Sequence, residues 1–144
     1  MVNNAAIVGN NLGLTADDLI VVNPPLFHCF GMGMGALNAL QRGAGVLLPS
    51  PGFDAGAALA SAAAESATTL YGVPTMFIQM LNHASASALR PRLRSLRSGV
   101  MAGAICPVEL MRRVESEFGI RNLQICYGMT ETAPVSTQTS GSGS

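Results

Sequence analysis

Residues 68–81, TTLYGVPTMFIQML, contain the change of pattern that decides the fold class. The first six residues are β-branched, aromatic or apolar, as in a short buried strand. Pro74 then suits the first turn of a helix, and Phe77, Met80 and Leu81 recur on one helical face. A buried strand that leads directly into an amphipathic helix favours an α/β fold with a parallel sheet.

The same alternation of strand and helix runs through the rest of the chain. We predict a three-layer, doubly wound α/β fold of the flavodoxin-like kind, with a mostly parallel sheet of about five strands and helices on both faces. Residues 1–139 form this unit, and residues 140–144 read as a Gly/Ser linker tail. The predicted strands are 19–22, 45–49, 68–73, 98–103 and 123–128, and the predicted helices are 2–12, 31–41, 55–65 capped by Asp54, and two that begin near Pro74 and Pro107.

Charge and hydropathy exclude several classes of partner. Eight basic and eight acidic residues cancel, so nothing draws the chain generally to nucleic acid or to anionic lipid. The uncharged stretch 19–41 contains prolines and glycines that argue against a membrane-spanning helix. Only 11% of residues are charged, against about 25% in typical soluble domains. Because low charge and exposed apolar surface favour association, we expect a homo-oligomer.

The cysteines indicate the redox environment of the chain, and the basic residues are concentrated in one segment. Cys29, Cys106 and Cys126 are widely spaced, so a disulfide framework or a zinc site is not expected, and a reduced, cytoplasmic setting fits better. His28 precedes Cys29, but neighbours on an extended segment point to opposite faces, which argues against a thiol nucleophile with a histidine base. The Arg-rich segment 83–99 is either a solvated loop, which we favour, or an anion-binding patch.

Chemically distinctive residues follow four of the predicted strands. The carboxyl ends of parallel strands share one edge of a sheet, where ligands bind. Together these segments would supply aromatic faces, small residues that allow close approach, a hydroxyl and a carboxylate, which suits a planar base and a magnesium-bound phosphate. The segments are PLFHCFG (25–31), YGVPT (71–75), AGAICP (102–107) and YGMTE (127–131).

These segments, in this order, resemble motifs of the AMP-forming acyl-CoA synthetase family of adenylate-forming enzymes. YGMTET (127–132) is similar to the family's aromatic–Gly–x–Thr–Glu motif, and PLFHCFG is similar to its aromatic–histidine motif. YGVPTMF and MAGAICP resemble its acyl-pocket and nucleotide-loop segments. The resemblance covers residues 2–139 and is greatest to the medium-chain fatty acyl-CoA synthetases.

The resemblance implies roles for individual residues around ATP or AMP. Tyr127 would stack on adenine, with Gly128 and Met129 beside it in the nucleotide site. Thr130 would hydrogen-bond the α-phosphate, and Glu131 would hold Mg²⁺. Thr130 and Glu131 are therefore the expected catalytic pair.

The resemblance also implies where the fatty acid binds. Gly103 and Ala104 would border both the adenine and the acyl pocket. Phe27 and His28 would gate the carboxylate end of the substrate. The remaining expected substrate-binding residues would shape the acyl tunnel, and they are Tyr71, Gly72, Val73 and Met76.

The implied reaction joins a fatty carboxylate to AMP, with release of pyrophosphate, and then transfers the acyl group to CoA. The family's phosphate loop and its catalytic lysine are not found in this sequence, in which all eight basic residues are arginine. We therefore expect one subdomain of a larger synthetase's N-terminal domain, inactive by itself. Two alternatives stay open: a stand-alone module that binds a nucleotide or a fatty acid, and a purely structural α/β unit.

Overall fold

Six strands form one sheet in the computed structural model, which describes residues 1–140. Their spatial order is β2-β1-β3-β4-β5-β6; the first five run parallel, and β6 is antiparallel to β5. The order 2-1-3-4-5 is that of a flavodoxin-like doubly wound sheet, which confirms the predicted fold class. The strands are β1 Leu19–Val22, β2 Gly45–Leu47, β3 Thr69–Gly72, β4 Ser98–Ala102, β5 Asn122–Gly128 and β6 Val135–Gln138.

Helices connect the strands and cover both faces. Asp54 caps α3 as predicted, because its side chain accepts a hydrogen bond from the Ala57 amide at 2.6 Å. The predicted tail at 140–144 lies outside the described residues, apart from Ser140. The helices are α1 Val2–Leu12, a π-helix Phe30–Leu37, α2 Asn38–Arg42, α3 Ala55–Ala64, α4 Pro74–Asn82, α5 Ala86–Leu89, a 3₁₀ turn Arg90–Arg92, α6 Val108–Phe118 and a 3₁₀ turn Thr130–Thr132.

The sheet separates two apolar cores, and alternate strand residues point into each. Ile20 and Tyr71 pack under α1, the π-helix and α2, whereas Val21 and Leu70 pack under α3 to α6. The β1–β2 connection runs in one direction along the sheet and the later connections run in the other. Right-handed crossovers therefore place their helices on opposite faces, and a crevice opens at the carboxyl ends of the strands. Among the described residues, no helix has the length and apolar character needed to cross a membrane.

The predicted count of about five strands was too low by one. Strand β6 has the sequence VSTQ, and the two middle residues of the strand are exposed. It lies at the edge of the sheet, so it needs no continuous apolar run, and the apolar pattern that marks the other strands is missing. Its position depends on side-chain amides: Asn4 Nδ2 donates to the Val135 carbonyl at 2.6 Å, and Val135 N donates to Asn4 Oδ1 at 3.1 Å.

A buried glutamine attaches the same edge strand to α1. Gln124 of β5 is fully buried, and its Nε2 donates to the Asn11 carbonyl at 2.9 Å. Its Oε1 accepts a hydrogen bond from Gln138 Nε2 at 2.6 Å. These bonds hold the end of β6, while its first residue, Val135, is a wall of the crevice described below.

The predicted helix 31–41 is instead a π-helix followed by the short α2. Its glycines permit close approaches that no other residue would allow. A Cβ on Gly31 would lie 2.5 Å from the Pro24 carbonyl oxygen, and one on Gly35 would lie 2.7 Å from a Val22 methyl group. Sequence periodicity predicts a helix here but does not distinguish the wider π winding, which often occurs at functional sites.

Candidate functional site

The first cleft lies at the carboxyl ends of β1, β4 and β5 and has a volume of about 290 Å³. It brings together segments that are about a hundred residues apart in sequence, as the shared edge of a parallel sheet predicts. Its lining residues are His28, Cys29, Phe30, Met34, Ala102, Gly103, Cys126, Tyr127, Gly128, Met129, Thr130, Glu131, Pro134 and Val135.

Tyr127 offers an aromatic face to this cleft, and Gly128 determines how it is held. The Tyr127 side chain is 65% exposed although its backbone pairs with Thr137 of β6. A Cβ on Gly128 would overlap the Pro134 carbonyl oxygen and lie 2.9 Å from Val135 Cα. Only glycine therefore lets β6 pass this close to the end of β5.

A short turn carries the hydroxyl and the carboxylate. Thr130 and Glu131 are both exposed on the 3₁₀ turn. Thr132, which was not among the residues predicted for the site, holds that turn. Its Oγ1 accepts a hydrogen bond from the Met129 amide at 3.0 Å and lies 3.0 Å from the Pro134 carbonyl, to which it donates. The sequence feature that could have identified Thr132 is a hydroxyl-bearing residue directly after Thr130 and Glu131.

The donor set of the first cleft fits a magnesium nucleotide. No group of three or more His, Cys, Asp or Glu side chains that could hold a metal occurs within residues 1–140. Mg²⁺, however, is commonly bound through one or two carboxylates together with substrate phosphates. Glu131 supplies one exposed carboxylate beside the Thr130 hydroxyl, and these donors are compatible with that mode of binding.

His28 and Cys29 lie side by side in the cleft, and this corrects the expectation that they point apart. Cys29 has helical dihedral angles, φ −58° and ψ −26°, so the segment is not extended there. Its Sγ lies 3.8 Å from His28 Nδ1, and Nδ1 also accepts a hydrogen bond from the Phe30 amide at 3.1 Å. A neutral ring that accepts at Nδ1 carries its proton on Nε2, so His28 offers an Nε2–H donor.

Two further cysteines lie near the first cleft, and both are unreactive because they stay protonated. Burial, with a smaller effect from Cys106, raises the pKa of Cys126 to about 12. Burial also raises the pKa of Cys106. Both side chains are therefore protonated thiols at neutral pH, and Cys126 serves as an apolar surface at the base of the cleft.

A second cleft, of about 760 Å³, lies between the loops that follow β1 and β2. Phe27 and Met76 border it, and Phe27 is 93% exposed. The predicted single crevice is thus divided: His28 lines the first cleft, whereas its neighbour Phe27 lines the second. The other residues around the second cleft are Val22, Asn23, Pro24, Pro25, Leu26, Leu48, Pro49, Ser50, Pro51, Gly52 and Phe53.

The remaining residues expected at the acyl tunnel do not line either cleft. Tyr71 is fully buried, its ring centroid lies 6.0 Å from that of Phe30, and burial raises its pKa, so the phenol is neutral. Gly72 is buried and Val73 is half-buried. Ala104 is exposed, next to Gly103 at the rim of the first cleft. Their predicted roles with the substrate stay predictions.

Comparison with known proteins identifies the family. A family model described as AMP-binding enzyme matches residues 1–143. The chain belongs to the AMP-binding enzyme family. Over 139 residues it is 39% identical to the mitochondrial medium-chain acyl-CoA ligase ACSF2 of Rattus norvegicus, covering 94% of this chain and 22% of the relative. The chain therefore spans less than a quarter of the length of that relative.

Solved structures of acid–CoA ligases have the same fold. A benzoate CoA ligase from Burkholderia xenovorans LB400 superposes with a TM-score of 0.87 at 25% identity, over 99% of this chain and 29% of that one. The O-succinylbenzoate coenzyme A synthetase MenE of Bacillus subtilis, in complex with ATP and magnesium ion, superposes with a TM-score of 0.78 at 26% identity. That likeness covers 96% of this chain and 28% of the MenE chain.

Proposed function

We infer that this chain carries part of the adenylate and acyl-binding site of an ATP-dependent, AMP-forming fatty acyl-CoA synthetase, and that it does not turn over alone. The observation that carries the proposal is the presence of Tyr127, Thr130 and Glu131 in one cleft with His28. The name of the rat relative, a medium-chain acyl-CoA ligase, supports a medium-chain fatty acid as the substrate.

Each side chain has a task in the proposed first step, in which a carboxylate oxygen attacks the α-phosphorus of ATP and pyrophosphate leaves. Tyr127 stacks on the adenine, and the Thr130 hydroxyl donates to an α-phosphate oxygen. The His28 Nε2–H donates to the substrate carboxylate and orients it. Bound at Glu131, Mg²⁺ would neutralise phosphate charge. In the second step the CoA thiol attacks the acyl carbon and AMP leaves, so the chain's contribution is positioning and charge stabilisation.

The first cleft binds a nucleotide weakly in this proposal because it has no cationic side chain among its lining residues. Stacking supplies roughly 1–3 kcal/mol, and one hydrogen bond supplies about 0.5–1.5 kcal/mol. Association costs about 4 kcal/mol or more. Even before that cost is subtracted, the favourable terms total at most about 4.5 kcal/mol, so AMP binding is no tighter than about millimolar.

The proposal of an inactive chain is tested by ATP–pyrophosphate exchange with octanoate and Mg-ATP. We expect exchange at background level for the full chain, because nothing in the first cleft holds the β- and γ-phosphates in line. Glu131→Ala is the matched control, since Glu131 is exposed and its removal leaves the fold intact. Turnover above background that Glu131→Ala abolishes would show that the chain is an enzyme by itself.

Self-association belongs to the same proposal. Large apolar side chains are exposed at the carboxyl edge and elsewhere, among them Phe27, Leu40 and Ile105, which are 93%, 77% and 91% exposed. With a net charge of zero, such a surface favours a homo-oligomer. Sedimentation is expected to show a dimer or larger species at high protein concentration; a clean monomer there would contradict the expectation.

The cellular setting is also proposed. Cys29, Cys106 and Cys126 are all free thiols. Free thiols in a chain with three cysteines support a reducing, cytoplasmic environment.

A further inference from the structure

A sulfur atom joins two of the loops that form the first cleft. Thr130 Oγ1 donates to Cys29 Sγ at 3.6 Å, between residues that are 101 positions apart in the chain. The same Sγ lies 3.8 Å from His28 Nδ1. The thiol therefore touches both the hydroxyl assigned to the phosphate and the ring assigned to the carboxylate.

Cys29 is held much more firmly than Thr130. It immediately precedes the π-helix, whose first residue, Phe30, is buried against Tyr71. The next residue, Gly31, packs directly on the backbone carbonyls of Pro24 and Pro25. Thr130, in contrast, is exposed on a three-residue turn.

The contact with Cys29 restricts the Thr130 side chain, because Cys29 is held in place whereas Thr130 is exposed. A threonine side chain has three staggered rotamers, and an acceptor on one side favours the rotamer that points at it. Cysteine sulfur is a weak acceptor, so the effect is a bias in the position of the hydroxyl and not a strong anchor. When a phosphate arrives, the Thr130 oxygen is already in place; the hydroxyl turns its single proton from Sγ to the phosphate, and the Cys29 S–H then donates to Oγ1.

We propose that Cys29 is a positioning residue that orients the Thr130 hydroxyl for the nucleotide phosphate. This inference rests on the proposed function, because it concerns the same site. It assigns Cys29 no covalent step. The thiol acts through Thr130, so its removal matters only while the threonine hydroxyl is present.

The test is a double-mutant cycle in which AMP binding to the full chain is measured by NMR titration. Cys29→Ala is expected to weaken binding about threefold, the size of a weak hydrogen bond. Cys29→Ser, which keeps both a donor and an acceptor at this position, is expected to restore it. In a Thr130→Val background, Cys29→Ala should cause no further loss. Additive losses, or a Cys29→Ser variant as weak as Cys29→Ala, would overturn the inference.

A matched cysteine variant separates positioning by Cys29 from a general effect of removing a thiol near the cleft. Cys106→Ala removes a half-buried thiol whose hydrogen bonds, among residues 1–140, go to the backbone carbonyls of Met101 and Ala104. This change should weaken AMP binding less than Cys29→Ala does, because in the described part of the chain Cys106 makes no hydrogen bond to Thr130. A loss in Cys106→Ala equal to that in Cys29→Ala would overturn the inference.

The inference can also be tested without a ligand. Three-bond couplings of the free protein should show one Thr130 rotamer more highly populated in the wild type and in Cys29→Ser than in Cys29→Ala. If the wild type binds no AMP, the proposed function fails, and these couplings still decide the role of Cys29: a Thr130 rotamer that is indifferent to Cys29→Ala overturns it.

Discussion

Asp18→Ala is expected to lower the free energy of unfolding by about 3 kcal/mol, near the low end for breaking a buried ion pair. Asp18 is buried, and it accepts hydrogen bonds from the Thr15 amide at 2.8 Å, from Thr68 Oγ1 at 2.6 Å and from Arg97 Nη2 at 2.5 Å. It joins the start of β1 to the segments that precede β3 and β4. The Arg97 side chain is half-exposed and stays solvated after the change, so we choose the low end of the range.

Urea unfolding monitored by circular dichroism measures this loss. Asp17→Ala is the matched control, because Asp17 is the exposed neighbour of Asp18. Its effect is expected to stay within about 0.5 kcal/mol. Equal losses for the two variants would show that the buried carboxylate is not a stabilising centre of the fold.

The same carboxylate gives the stability a dependence on pH. Burial alone would raise the pKa of Asp18, but the hydrogen bonds from Thr68 and Thr15 and the ion pair with Arg97 together lower it below its ordinary value. A carboxyl whose pKa is lower in the folded state stabilises that state fully above its unfolded pKa of about 3.9. This contribution is lost as the pH falls through the folded-state pKa. The wild-type advantage over Asp18→Ala should therefore shrink below about pH 4.

Gly128→Ala is expected to cost about 2–3 kcal/mol and to disturb the first cleft, because the new methyl group overlaps backbone that cannot rotate away. The overlap is with the Pro134 carbonyl, and Val135 Cα lies 2.9 Å from the added Cβ. Either β6 or the Tyr127 segment has to move. Thermal unfolding measures the first effect, and the amide resonances of β6 report the second.

Gly52→Ala is the matched control for this substitution. A Cβ at Gly52 meets no atom within 4 Å. Its expected effect is within about 0.5 kcal/mol. If Gly128→Ala were as harmless as Gly52→Ala, the close passage of β6 would not be the reason for glycine in this motif.

The sequence predicted those parts of the fold that local chemistry determines. The strand and helix on either side of Pro74 are marked by a change of period, and Asp54 caps α3 through a bond within its own turn. Burial on both faces makes the parallel strands uniformly apolar, so their positions are visible in the sequence.

Features that depend on distant partners could not be predicted in the same way. Strand β6 is held by Asn4 and Gln138, whose partners are more than a hundred residues away or on another strand. The π winding depends on how closely Gly31 packs on the Pro24 and Pro25 carbonyls.

The candidate site likewise has features that the sequence predicted and features that it could not predict. Motif order indicated that Tyr127 and His28 share an edge of the sheet. The separation of Phe27 from its neighbour His28 into a second cleft depends on the path of the loop after β1, which no periodic pattern reports.

The assignment of the first cleft as the nucleotide half of an adenylate site is tested most directly by titrating the isotope-labelled full chain with AMP and Mg²⁺ and following amide resonances. We predict binding that is millimolar or weaker, with shifts confined to the residues that line the first cleft. Tyr127→Ala should weaken it at least about fivefold through lost stacking, whereas Val108→Ala, a change at an exposed apolar residue of α6, should not. Shifts centred on the second cleft, or unchanged affinity in Tyr127→Ala, would contradict the assignment.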